Sequence, residues 1–111
     1  MENPNAQADR QDPDPVVDEV DVEEFGKRGE RPPRARRYRI RIDKAVFVVD
    51  HAVVTGRELL TLAGKVPSDR FEIFQKLRGG AMKKVGLDEK VDLSEPGIER
   101  FQTIPLDATE G

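Results

Sequence analysis

"VVTGRELLTLAGKVP", from Val53 to Pro67, carries the start and the stop of one short helix, and its place in the chain decides the fold. Thr55 is placed as an N-cap with Glu58 three residues on, the spacing of a capping box. Val54 before the cap and Leu59 after it have the spacing of a hydrophobic staple. Leu59, Leu62 and Ala63 share one face. Gly64 stands where a left-handed C-terminal residue belongs, and Pro67 forbids continuation. A helix of about two to three turns is marginal alone and must lie on a sheet to persist.

The sheet is written on both sides of it. Upstream, "YRIRID" sets Tyr38, Ile40 and Ile42 on one face and Arg39 and Arg41 on the other, a period of two. "AVFVVD" follows Asp43-Lys44 and is dense in β-branched and aromatic residues, so the pair predicts a hairpin. Downstream, "RFEIFQKL" (Arg70 to Leu77) favours a strand, although Phe71, Phe74 and Leu77 also sit three apart. "AMKKVGL" predicts a short return strand, and "SEPGIERF" puts Pro96 and Gly97 in the middle of a type II turn. "IERFQTIPL" predicts a last strand. Its Phe101, Ile104 and Leu106 do not share one alternating face, which calls for a bulge or for burial on both sides. The order of hairpin, helix and further strands gives an α+β, β-grasp outline, with one helix packed on a mixed sheet.

Before residue 37 the chain changes character. Residues 1–36 are rich in Pro, Asp and Glu, first acidic and then basic, and predict a disordered arm. The cationic stretch from Lys27 to Arg41 has a composition that can hold phosphates. The acidic residues just upstream can neutralise it, and Arg39 and Arg41 fit the wet face of a strand, so nucleic acid is the minority reading. Three segments result: the arm over 1–36, a domain over 37–106, and an exposed tail over 107–111.

The composition narrows the function. In 111 residues, 37% are charged and 5% aromatic, the net charge is −3, and there is no cysteine. The chain therefore makes no disulfide and offers no thiolate ligand or thiol nucleophile. The sequence shows neither a membrane-spanning apolar run nor a signal peptide, which sets the expectation of a cytoplasmic protein. His51 is the single histidine. It stands beside Asp50, and adjacent residues seldom point the same way, which argues for a surface role. With no Gly-rich phosphate loop, no metal cluster and no cofactor motif, the chain is expected not to be an enzyme.

"LRGG" (Leu77 to Gly80) spells the end of ubiquitin, yet 31 residues follow it. Cleavage at Gly80 would discard Val85, Leu87, Val91, Leu93, Phe101, Ile104 and Leu106 from a small core, so the glycines are expected to form a turn between strands. The end that matters is "LDATEG". A terminal glycine carboxylate carries no side chain, so it can enter a narrow enzyme tunnel, become an acyl-adenylate and be attacked without hindrance.

The stretches "EEFGKRGERPPRARRYRIRID", "TGRELLTLAGK", "RFEIFQKLRGG", "VDLSEPGIERF" and "PLDATEG" resemble the bacterial multi-ubiquitin domain family, over about Glu23 to Gly111. The resemblance implies a ubiquitin-like protein modifier joined to targets through Gly111. Leu106, Asp107, Ala108, Thr109 and Glu110 would be held by a ubiquitin-activating-like adenylating enzyme, which supplies the ATP chemistry. It also implies a conjugating-like enzyme, a JAB-type peptidase and a role in antiphage defence. This sequence departs from the family by having one domain and by ending in Glu110-Gly111 in place of Gly-Gly. The acidic Asp107 and Glu110 call for a cationic groove on the activating enzyme. A noncovalent binding module and a sulfur carrier are the other uses of this outline.

Overall fold

A computed structural model describes residues 16–106. In chain order the elements are β1 (Val17–Asp21), α1 (Val22–Arg28), β2 (Ala35–Ile42), β3 (Ala45–Val49), β4 (Val53–Thr55), α2 (Gly56–Leu62), a 3-10 turn (Ser68–Arg70), β5 (Phe71–Leu77), β6 (Met82–Val85), β7 (Lys90–Asp92) and β8 (Ile98–Pro105).

The helix that decides the fold forms as its caps dictate. The Glu58 N–H donates to Thr55 Oγ1 at 3.1 Å, and the Thr55 N–H donates to Glu58 Oε1 at 2.9 Å. Val54 and Leu59, the staple pair, are both buried. The second core residue of this helix is Leu60, while Leu62 and Ala63 are only partly buried. The helix is short enough that the apolar stripe is set by its first two turns. Gly64 takes φ +77° and ends it.

Around α2 the fold is α+β, a β-grasp. β2 and β3 form the expected antiparallel hairpin, with Tyr38 opposite Val49 and Ile42 opposite Ala45. The turn lacks glycine, and Asp43 takes its positive φ of +56°, a conformation aspartate tolerates better than most side chains. β8 pairs antiparallel with β5, and β5 with β6. Gly79 and Gly80, at φ +92° and +97°, make the β5–β6 turn, in which the Leu77 carbonyl accepts from the Gly80 N–H at 2.9 Å. "LRGG" is therefore a hairpin turn. Gly97, at φ +91°, bears out the reversal before β8. Beyond the expected sheet, β4 and β7 pair as a separate two-stranded ribbon. Tyr38, Ile40, Ile42, Ile73 and Phe101 share one core with Leu59 and Leu60.

Two expectations are corrected. A bulge does exist in β8, but it lies where Lys76 opposes Arg100 and Leu77 opposes Ile98, leaving Glu99 as the extra residue. Ile104 and Leu106 were expected in the core and are instead 48% and 46% exposed. Plain alternation past Phe101 puts Ile104 outward, so their mismatch with Phe101 needs no device to reconcile it.

The larger correction concerns the arm. Residues 1–15 lie outside the described residues, but 17–28 are folded onto the domain, and β2 begins at Ala35. A second helix thus joins the expected one. β1 pairs parallel with β2, Val17 against Ala35 through Asp21 against Arg39. Tyr38 and Arg39 pair with both β1 and β3, and Ile42 pairs with both β3 and β8. A strand has two edges, so β1 and β8 lie end to end on the same edge of β2. α1 takes over where β1 stops and packs on the start of β8. Its caps are complete: the Glu24 N–H donates to Asp21, and Gly29 takes the left-handed C-terminal position.

The acidic and basic stretches meet across this edge. Arg39 donates to Glu19 at 2.6 Å and to Asp21 at 3.1 Å, and Arg41 donates to Glu23 at 2.9 Å. Glu23 is largely buried and also faces Lys27 at 3.6 Å and Arg100 at 3.8 Å. Exposed ion pairs contribute little singly. Spaced two residues apart, from β1 into the start of α1 on one side and along β2 on the other, these pairs fix the register of β1 and neutralise Arg39 and Arg41 within the stretch that suggested nucleic acid. The Arg39 guanidinium, hydrogen-bonded to Glu19, holds that carboxyl below its ordinary range.

Two predictions follow from this edge. Gly26 lies so close to β8 that a Cβ there would meet the Ile98 carbonyl oxygen at 1.9 Å. Gly26→Ala should therefore cost about 1–3 kcal/mol in chemical unfolding and detach α1; an unchanged midpoint would show that the helix does not dock as described. Because the Glu19 pKa is lowered on folding, its contribution is full above the ordinary glutamate range and is lost as pH falls through the lowered value. Amide protection over residues 17–28 should drop below about pH 4, and in high salt, before that of β5 and β8 does. Protection that falls uniformly across the sheet would refute the ladder's role.

Candidate functional site

The sequence points to the end of the chain, and the structure gives the geometry that leads there. β8 starts in the core, with Ile98 and Phe101 buried, and runs outward to Ile104 and Pro105. Its last pairing is Pro105 against Phe71. The strand is held on its other side by a side chain. β2 has ended by this point, and Asp43 in the β2–β3 turn takes its place. The Asp43 N–H donates to the Phe101 carbonyl at 2.8 Å. Its carboxylate accepts from the Thr103 N–H at 2.9 Å and from the Thr103 hydroxyl at 2.6 Å. One residue thereby continues the parallel ladder past the end of β2, and Thr103 is fixed three residues before Leu106.

Leu106, the first of the expected enzyme-contact residues, stands half exposed at the edge of a recess of about 240 Å³. Phe71 and Leu87 give this recess apolar walls, and Glu72 and Lys84, paired at 3.0 Å, give it polar ones. The other expected site residues, Asp107, Ala108, Thr109, Glu110 and Gly111, lie outside the described residues. What the structure adds is a strand held on both edges that ends in an exposed apolar residue beside a shallow hollow.

His51 and Asp50 behave differently from expectation. Their side chains do meet, His51 Nδ1 lying 2.8 Å from Asp50 Oδ1. The hydrogen bond from His51 lowers the Asp50 pKa. Both side chains are exposed, and they border a recess of about 400 Å³ with Arg37, Val48 and Val49. The bend that follows β3 turns the two side chains together, which sequence adjacency alone does not reveal. Among the described residues no group of three His, Asp or Glu side chains is arranged to hold a metal ion. Among the described residues no helix is long and apolar enough to cross a membrane.

Sequence reasoning missed the Asp43–Thr103 clamp, which joins residues 60 positions apart and leaves no local signal. It also missed α1, whose signals were legible: Asp21 before the helix, Glu23 and Glu24 in its first turn, Lys27 and Arg28 in its last, and Gly29 after it.

No curated protein and no solved structure matches the chain. One family model does, described as multiubiquitin, over residues 38–105. The matched span opens at Tyr38, the first buried residue of β2, and closes at Pro105, the last residue of β8. It takes in the hairpin, the capped helix and the clamped strand while leaving β1 and α1 outside, and on that match the chain belongs to the multiubiquitin family.

Proposed function

We propose that the protein is a ubiquitin-like modifier that is attached to target proteins through the Gly111 carboxylate. The observation that carries this reading is the exit of β8. The family domain ends at residue 105, and the strand that ends there leads the chain outward through the exposed Leu106.

The chemistry is that of acyl activation. The Gly111 carboxylate attacks the α-phosphorus of ATP on a ubiquitin-activating-like enzyme and releases pyrophosphate. A cysteine thiolate of that enzyme attacks the acyl-adenylate and releases AMP. After transfer to a conjugating-like enzyme, a nucleophile on the target attacks the thioester and frees the thiol. Glycine at the reacting position leaves the carbonyl open at each step. The modifier contributes recognition: Leu106 as an apolar anchor and Asp107 and Glu110 as acidic contacts to a cationic groove. A JAB-type peptidase would reverse the linkage, and the system would operate in the bacterial cytoplasm, in antiphage defence.

A second reading, a noncovalent binding module, draws on β3. Among the described residues only β2 pairs with it, which leaves its other edge open, and Val46 and Val48 are exposed beside that edge. Such an edge can take an added strand.

The two readings separate in an ATP-dependent thioester assay with the cognate adenylating enzyme, using the chain with and without Gly111. A thiol-sensitive adduct that needs both ATP and Gly111 is the expected result. If neither form gives an adduct, the modifier reading fails and the β3 edge becomes the surface to pursue.

A further inference from the structure

At the opposite end of β8 from the exit lies a recess of about 360 Å³ between β5, β7 and the start of β8. Its apolar walls are Leu77, Val91, Pro96 and Ile98. Gln75 lines it from the middle of β5, is 7% exposed, and its Oε1 is fully enclosed with no hydrogen-bond partner. Among the described residues this is the one buried side-chain polar atom left without a partner. An acceptor enclosed in this way is a standing cost to the fold, and each such group calls for an explanation.

The charges around it are unequal. Glu89, Asp92 and Glu95 line the recess, against Lys83 and Lys90. Lys83 faces Glu89 at 3.8 Å, and Asp92 caps the Ser94 N–H at 2.9 Å. With the Lys83–Glu89 pair set aside, two carboxylates face one ammonium, so the recess carries an excess negative charge. Short apolar walls, an unfilled acceptor and a net negative rim suit a long methylene stem that ends in a cationic donor.

We propose that this recess is a binding site for a lysine side chain presented by a partner polypeptide. The stem lies on Val91, Pro96 and Ile98, and the ammonium donates to Gln75 Oε1 and to the Glu95 carboxylate. Rotation about the soft terminal torsion of Gln75 exchanges Oε1 with Nε2, which turns the acceptor toward the donor and sets the amide N–H in the enclosed position. Ile98 and Pro105 are the two ends of the eight-residue β8, about 24 Å apart at the rise of a strand, so a partner held here leaves the chain's exit free. The site thus stands whether or not Gly111 is activated.

The test is a ¹⁵N NMR titration of the full chain with Nα-acetyl-lysine methylamide, beside its norleucine analogue, which keeps the stem and lacks the ammonium. The lysine compound should give saturable shifts at the Gln75 side-chain amide and at the Val91 and Ile98 N–H groups, and the norleucine compound should bind at least about fivefold more weakly. Gln75→Leu should abolish the lysine preference while raising the melting temperature, because it removes the unpartnered acceptor. Glu95→Gln, at a surface position, should weaken binding about threefold to fivefold with the fold unchanged. Equal binding of the two compounds, shifts that do not saturate, or a Gln75→Leu chain that folds but melts lower would each overturn the proposal.

Discussion

One carboxylate joins the two halves of this sheet. The first hairpin and the β5–β6–β8 half touch as strands at a single register position, Ile42 against Phe101. Beyond it β2 has ended, and Asp43 supplies from its backbone and side chain what a further strand residue would have supplied. Hydrogen bonds to a charged acceptor are worth about 1.5–3 kcal/mol, a large share of the stability a small domain has. The same contact fixes Thr103, and through it the direction in which β8 leaves the core.

The contact between the halves is so short because the edge is shared. β1 occupies residues 35–39 of β2, so β8 can pair only at the far end. α1 then bridges the gap, resting on Ile98 and Glu99 through a glycine that admits no side chain. The segment before Tyr38 lies outside the family match, yet it is built into the sheet by the Glu19, Asp21 and Glu23 ladder and by the burial of Val20 and Val22. Among the described residues an addition of this kind leaves the open edge of β3, the exit of β8 and the Gln75 recess uncovered.

The parts of the fold that could be read from sequence were those with short-range causes. The capping box of Thr55 and Glu58, the alternation of Tyr38, Ile40 and Ile42, and the positive-φ glycines of "LRGG" each act within a few residues, and each formed as written. The arm misled because its composition resembles that of disordered chains. Composition does not register that Glu19 and Arg39, 20 residues apart, can pair across parallel strands. The core list failed at Ile104 and Leu106 because alternation from the buried Phe101 turns both to the outer face, where Ile104 stands opposite Glu72. At the candidate site the expectation for the tail rested on the residue types after Pro105 alone, and the clamped end of β8 needed coordinates, as did the unpartnered oxygen of Gln75.

Asp43 stands in for the missing end of β2 and so sets the exit of β8. Asp43→Gly tests this role, since glycine accepts the positive φ without strain and removes the carboxylate with its methylene while keeping the backbone N–H. Amide exchange at Thr103 should speed up by tenfold or more relative to β5, with a stability loss of about 1.5–3 kcal/mol. A variant as stable as the parent, with Thr103 equally protected, would refute this role for Asp43 and leave the burial of Phe101 as what joins the two halves.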